Sequence, residues 1–251
     1  MNKPNIAMVV TCFNKENSIH DTIKSALEQS YDNKGLIVVD DCSTDESWNI
    51  IRSFFKKKDR YETNLVTGTT ENGVMMCAIK NDTNKGLGFS KNAAIAATMK
   101  TSDAYIFIDG DDILSKEKVR RCVDKWMEDI EAIGIVYSDQ IIDNQVEGFD
   151  VVGYVPPFSR RLLETTDYIE NNYFITKKAL VLAGKYEEGI ITTDYDMQLR
   201  VSENLVFVHV PEILSTRRVT PYGQTVKVKD ADRRKSYEAT IKRAIQRRGA
   251  K

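Results

Sequence analysis

Four acidic or polar groups of residues fall just where the chain leaves a buried strand: Thr11-Cys12-Phe13-Asn14, Asp40-Asp41, Asp109-Gly110-Asp111-Asp112 and Thr193-Asp194-Tyr195-Asp196. Carboxylates gathered in one place repel one another unless a cation or hydrogen-bond donors offset their charge, so their convergence predicts a bound metal or a donor-rich ligand. The donor atoms on offer are oxygens. His20 and His209 are the sole histidines, and Cys12, Cys42, Cys77 and Cys122 contain no C-x-x-C pair, so the set suits Mg2+ or Mn2+ and no zinc site is legible. A lone Asp-Asp pair at a strand end more often caps the next helix, which is the plain reading of Asp40-Asp41. Three carboxylates around Gly110 exceed what one cap requires, and the glycine allows its backbone to approach a phosphate closely.

The elements that must position these groups read as strand and helix in alternation. Ile6–Thr11 is a short, nearly continuous apolar run rich in β-branched residues, as expected of a strand covered on both faces, and Ile19, Ile23, Ala26 and Leu27 then recur at helical spacing. Leu36–Val39 is a second buried strand. Ser43-Thr44-Asp45-Glu46 has the spacing of a capping box, opening a helix with Trp48, Ile51 and Phe55 inward. Two βα units in tandem imply parallel strands whose following loops share the carboxyl edge of the sheet, where open α/β sheets bind ligands. Residues Lys56–Gly73 read as a loop or irregular hairpin, Val74–Ile79 as a strand, Asn81–Gly88 as a turn and Ser90–Met99 as a helix. The strand Tyr105–Ile108 runs directly into Asp109. Further on come a helix over Lys116–Ile130, a strand over Ile133–Ser138 and a less regular stretch through Val151–Pro157. Tyr173–Ile175 and Leu180–Leu182 frame a loop that ends in a helix over Thr192–Arg200, and Val206–Val210 with Ser215–Val219 complete the core.

A chain of 251 residues with 41% hydrophobic and 29% charged residues can bury a substantial core, which excludes a disordered protein. Its net charge of -1 supplies no field for nucleic acid, and no interleaving of basic and aromatic residues points there either. No apolar run reaches the length of a membrane span, and MNKPNIAMVV lacks the features of a signal peptide, so the expectation is a cytoplasmic protein with free thiols. The expected organisation is a catalytic domain over 1–226 and a basic amphipathic helix over 227–251. Tyr237, Ile241, Ala244 and Ile245 share a face of that helix, which either packs on the domain or touches a membrane surface.

From Ile6 to Val219 the sequence resembles glycosyltransferase family 2, the inverting nucleotide-sugar transferases of GT-A fold. VVTCFN, IVVDDCSTDES, NKGLGFSKNAAI, FIDGDDIL and TTDYDMQLR stand where the family has its strand-turn, helix-entry, metal and late acidic motifs, in the family's order. The resemblance implies a Rossmann-like, mostly parallel central sheet flanked by helices, with a C-terminal helical extension. It also implies a nucleotide-diphosphate sugar donor, Mn2+ or Mg2+, and a saccharide or lipid-linked acceptor.

Residue by residue, the resemblance implies that Thr11 and Phe13 meet the nucleotide base, Phe13 by stacking. Asp41 would accept from the base, which favours uridine, and Asp40 would support the turn. Lys91, where the family commonly has arginine, would reach a phosphate or the base, or stand solvated. Asp109 would meet ribose or metal beside Gly110, and Asp111 would ligate the metal. Asp194 would be the general base that takes the acceptor proton, with Asp196 as the second candidate. Besides Lys91, the departures are Phe13, where the family often has tyrosine, Thr193, where it usually has glutamate, and Arg217-Arg218-Val219, where many relatives have a histidine after the arginine.

Three other readings are weaker or remain beside it. An aspartyl-phosphate phosphatase places its D-x-D after the first core strand, whereas Asp109 follows several βα units. A dinucleotide-binding dehydrogenase needs a G-x-G-x-x-G after the first strand, and none is present. A domain of the same fold that binds a nucleotide-sugar without turnover is the alternative to the transferase.

Overall fold

Backbone alternation in the first strand splits the core in two. In the computed structural model, which describes residues 3–221 and 228–249, β1 (Ile6–Cys12) is buried along its whole length. Ile6, Met8 and Val10 point into one apolar cluster while Ala7 and Val9 point into another on the opposite face of the sheet, as a period of two requires. The first cluster is closed by α1 (Ile19–Leu27), α2 (Ser47–Ser53) and α4 (Lys118–Trp126). The second is closed by α3 (Leu87–Thr98), α6 (Lys177–Ala183), α7 (Thr193–Val201) and a C-terminal helix, α8 (Asp230–Gly249).

The centre of the sheet is parallel. β5 (Met75–Lys80), β2 (Lys34–Asp40), β1 and β6 (Ala104–Asp109) lie side by side in that order. Their register sets Thr11 beside Asp109 and Cys12 beside Asp40, so three strand tips end level. Beyond β6, the short β10 (Phe174–Thr176) runs antiparallel between β6 and β8 (Ile133–Asn144). β11 (Val206–Val219) pairs parallel with β8 through two register shifts near Ile213, and its end meets the two-residue β7 (Ile113–Leu114). β9 (Phe149–Gly153) hangs on β8, and the one-turn α5 (Arg160–Leu163) follows it.

Several expected elements are redrawn, but after α2 the irregular hairpin is the reading that holds: β3 (Phe55–Tyr61) and β4 (Leu65–Thr70) pair antiparallel through two register shifts, and β3 is an exposed lysine-rich edge strand. Its alternation is hidden because almost every side chain faces water. The capping box does not form: Ser43 Oγ donates to Asp40, while Asp45 Oδ1 accepts from Ser47 N at 3.0 Å at the helix start. Leu180–Leu182 belongs to α6, whose start is capped by Thr176 Oγ1, accepting from Ala179 N at 3.1 Å. The strands expected at Val206–Val210 and Ser215–Val219 are one irregular strand.

The tail helix packs on the domain. Ala244 is buried, and Tyr237 and Ile241 lie against the second cluster, which leaves Ile245, 61% exposed, off the face assigned to it. Among the described residues no helix is long and apolar enough to cross a membrane.

Candidate active site

The turns after β1 and β2 are stitched together before any ligand is considered. Asn14 and Cys42 adopt left-handed backbone, φ 51° and 67°, a conformation that costs about 1 kcal/mol or more in a residue with a side chain. The two turns offset it by cross-bonding: Asn14 N donates to Ser43 Oγ at 2.9 Å and Asn14 Oδ1 accepts from Thr44 N at 2.9 Å. Asp40 is buried beneath them, accepting from Ser43 and lying 3.5 Å from Lys80 Nζ, so it supports the turn. Asp41 is held by the chain that enters α3. Its Oδ1 accepts from Asn81 Nδ2 at 2.7 Å and Lys85 N at 2.9 Å, and its Oδ2 from Gly86 N at 2.7 Å. A carboxylate has about four acceptor positions, so Oδ2 retains one for a ligand.

At the tip of β6, Gly110 is required by space. A Cβ there would stand 2.9 Å from Thr11 O, inside contact distance of backbone. Asp111 receives the ammonium of Lys15, whose own N–H donates to Ser47 Oγ at 2.8 Å. Burial pushes the Asp111 carboxyl up, Lys15 pulls it back, and Asp109 raises it again. Asp112 is buried, accepting from Asn172 Nδ2 at 2.9 Å and Arg218 N at 3.0 Å. Burial first, then the charges of Asp109 and Asp111, drive its carboxyl well above the usual range. Among the described residues no three such side chains form a ready metal cage. Mg2+ and Mn2+ at a diphosphate take one or two carboxylates with phosphate oxygens and water. Mutual repulsion at Asp109, Asp111 and Asp112, offset by the Lys15 ammonium, fits that chemistry.

Asp194 opens α7 and faces the same space. Its Oδ1 accepts from Lys91 Nζ at 2.5 Å and from the Tyr173 hydroxyl at 3.1 Å. Burial, the largest effect, raises its carboxyl; Lys91 lowers it and Asp109 raises it. Lys91 therefore meets Asp194 and is not solvated. It is 1% exposed on the buried face of α3, is absent from the cleft wall, and gives its charge to Asp194. A buried ammonium needs an anion, and Asp194 supplies it. Asp196 points the other way, into Arg200 at 2.8 Å and, more distantly, Arg243 and Arg247 of α8, so it ties two helices together. Thr193 Oγ1 donates to Ile190 O at 2.8 Å and holds the preceding loop.

These tips enclose one cleft of about 610 Å³ whose wall includes Thr11, Phe13, Asp41, Asp109, Gly110, Asp111 and Asp194. Phe13, 43% exposed, presents a ring at its rim. Asp112, from the acidic cluster read in the sequence, lines it too, and sequence reasoning missed Lys15, Asp167 and the α8 residues Arg233 and Tyr237 on the same wall. Tyr237 donates to Asp167 Oδ2 at 3.0 Å. Burial pushes the Asp167 carboxyl up to about 7 against the lowering effect of Tyr237. Only the helical periodicity of the tail hinted at these α8 residues, and nothing in the sequence pointed to Asp167.

Level parallel strand tips carrying a D-G-D turn, with a third carboxylate arriving on a helix N-terminus, make an α/β domain with one acidic cleft at the carboxyl edge of its sheet. The sequence model of glycosyl transferase family 2 matches residues 7–188, and the chain belongs to that family. It is 24% identical to a chondroitin synthase of Escherichia coli over 251 residues, which is 99% of this chain and 34% of that protein. The chain thus spans about a third of that relative. Two solved structures share the fold: S. aureus TarS 1-349 in complex with UDP-GlcNAc, TM-score 0.68, 15% identical, covering 90% of this chain and 61% of that one; and the mannosyltransferase PcManGT from Pyrobaculum calidifontis in complex with GDP-Man and Mn2+, TM-score 0.71, 16% identical, covering 98% and 65%.

Proposed function

We propose that the chain transfers a sugar from a nucleoside-diphosphate donor, a UDP-sugar in the first instance, to a hydroxyl of a saccharide or lipid-linked acceptor, with inversion at the anomeric carbon. The observation that carries this reading is the opening of Asp41, Asp111 and Asp194 onto one cleft. Phe13 would stack on the base and Thr11 would offer it backbone contacts, while Asp41, preset by three donors, uses its remaining acceptor position on a ring N–H. Asp111 with Asp109 would hold a divalent cation on the diphosphate, which supplies neutralisation of the charge that develops on the leaving group.

The reaction is a single displacement. The acceptor oxygen forms its bond to the anomeric carbon as the bond from that carbon to the diphosphate oxygen breaks, the electron pair leaving with the nucleoside diphosphate. Asp194 takes the acceptor proton. Arg217 and Arg218, on the same wall, would meet phosphate charge.

We assign residues 1–226 to the catalytic domain and read α8, within 227–251, as a second wall of its cleft. The boundary between them falls in 222–227, outside the described residues. Because Tyr237, Ile241 and Ala244 of α8 are spent on the domain, packing is favoured over contact with a membrane surface.

The test is a panel of UDP-, GDP- and dTDP-sugars with Mn2+, read by thermal shift and by release of the nucleoside diphosphate. A UDP-sugar should raise the melting temperature most, since a ligand that binds the folded state stabilises it. No stabilisation and no release with any donor would sink the reading.

A further inference from the structure

The motif around α3 divides into two halves with different targets. Its entry, through the amides of Lys85 and Gly86, grips Asp41. Its helical half addresses the segment that carries Asp194. A Cβ on Gly88 would stand 2.4 Å from Glu187 O, so only glycine lets the helix lie that close. Asn92 brackets Tyr186, donating to its carbonyl at 3.0 Å and accepting from its N–H at 2.9 Å. Between them Lys91 passes the rings of Phe107 and Tyr186, each 5.2 Å from its ammonium, and ends on Asp194.

Both donors to Asp194, Lys91 and Tyr173, use Oδ1, and no described residue donates to Oδ2. One oxygen is anchored from the core side and the other is left for the cleft. We propose that Lys91 is a positioning residue for the transfer: it fixes the rotamer and the charge of Asp194 from beneath, so that Oδ2 is presented to the acceptor hydroxyl, and it does not touch the nucleotide. This rests on the assignment of Asp194 as the base. The other groups that bear on Asp194 are two carboxylates, Asp109 from the tip of β6 and Asp167 across the cleft wall, and the hydroxyls of Tyr173 and Tyr186; the carboxylates repel and the tyrosines are uncharged. Among the described residues Lys91 is the cation paired with Asp194. Without it, burial and Asp109 would raise the Asp194 carboxyl unopposed by that charge, which disfavours the ionised form that takes the acceptor proton.

The experiment compares the unaltered chain with Lys91→Met, Lys91→Arg, Asp194→Asn and the Lys91→Met/Asp194→Asn pair. Turnover is measured against pH with the best donor of the panel above, and UDP affinity by calorimetry with Mn2+. Lys91→Met should lower kcat by about 10²-fold and move the acidic limb of the kcat profile upward by about one pH unit or more. Affinity for UDP should hold within about twofold, since no uniform binding contact is lost. Lys91→Arg should keep the limb near its original position, and adding Lys91→Met to Asp194→Asn should cost nothing further, because residues that act as a unit are not additive. UDP affinity weakened about tenfold with the limb unmoved would make Lys91 a nucleotide contact and overturn the proposal. Additive losses in the pair would overturn it as well. Should Lys91→Met not fold, Lys91→Gln takes its place: a weakened UDP affinity or an unmoved acidic limb overturns, a lowered kcat with a raised limb and intact UDP affinity supports. Wild-type turnover in Asp194→Asn, or none in the unaltered chain, would defeat the underlying reading and is seen before any Lys91 variant is compared.

Discussion

The ammonium of Lys15, from the turn after β1, lies on Oδ2 of Asp111, from the turn after β6, at the place where the proposed cation would bind. The chain thus supplies its own positive charge to a carboxylate that burial would otherwise leave difficult to ionise. Lys15→Ala should therefore tighten binding of Mn2+ alone by about 3- to 10-fold, because a competing charge is removed at close range. Asp111→Ala should abolish it. Titration by calorimetry or by the Mn2+ spin-resonance signal separates the two, and unchanged affinity in Lys15→Ala would show that the ammonium does not compete.

For the proposed base, Asp194→Asn would remove the proton acceptor while keeping size and hydrogen-bonding shape. Turnover should fall by about 10²–10⁴-fold, with UDP affinity retained. Asp196→Asn should behave differently, since its carboxylate meets Arg200, Arg243 and Arg247. It should lower the melting temperature through loss of those pairs. Equal turnover in Asp194→Asn and the unaltered chain would return the role to another group.

Asp167 gives a pH signature of its own. Its carboxyl is pushed up to about 7 by burial, above the ordinary carboxylate value of the unfolded chain. The folded state therefore binds this proton more tightly. The associated stability is complete below the unfolded value and is lost as pH rises through about 7. Asp167→Asn, which cannot ionise, should gain melting temperature relative to the unaltered chain between pH 5 and pH 8, by roughly several degrees. Parallel melting curves at both pH values would show that Asp167 does not titrate in that window.

Deletion of 228–251 tests whether α8 is part of the domain. The deletion strips Tyr237 from Asp167, Arg243 and Arg247 from Asp196, and the Thr240 hydroxyl from Thr192, which it meets at 2.8 Å. Melting temperature and turnover should both drop, with vesicle binding no part of the effect. A truncated chain as stable as the whole one would make α8 an appendage.

What was legible in the sequence followed from local patterns. β1 and β2 declare themselves as β-branched apolar runs, and Asp109-Gly110-Asp111 and Asp194 stand out because carboxylates at strand and helix ends are visible without a partner. The β3–β4 hairpin was legible only as one of two readings, since the residues of β3 are nearly all exposed, and β10 only as the short run Tyr173–Ile175, with no period to read. The pairing of Lys91 with Asp194 was hidden for a further reason. The partner lies 103 positions away, and a lysine beside a helix start looks the same whether its anion is a phosphate or a buried aspartate. Asp167 and Tyr237, 70 positions apart, pair only because α8 folds back over the cleft.

Helix α3 has one end closed around the aspartate proposed to recognise the base and the middle of its length bolted to the aspartate proposed to drive the reaction. A rod in that position makes selection and speed hereditary companions. Any change at 81–86 that admits a different nucleotide tilts the same lever that aims the proton acceptor, so lineages of this domain would switch donors only with compensating changes where Gly88, Lys91 and Asn92 meet the opposite segment.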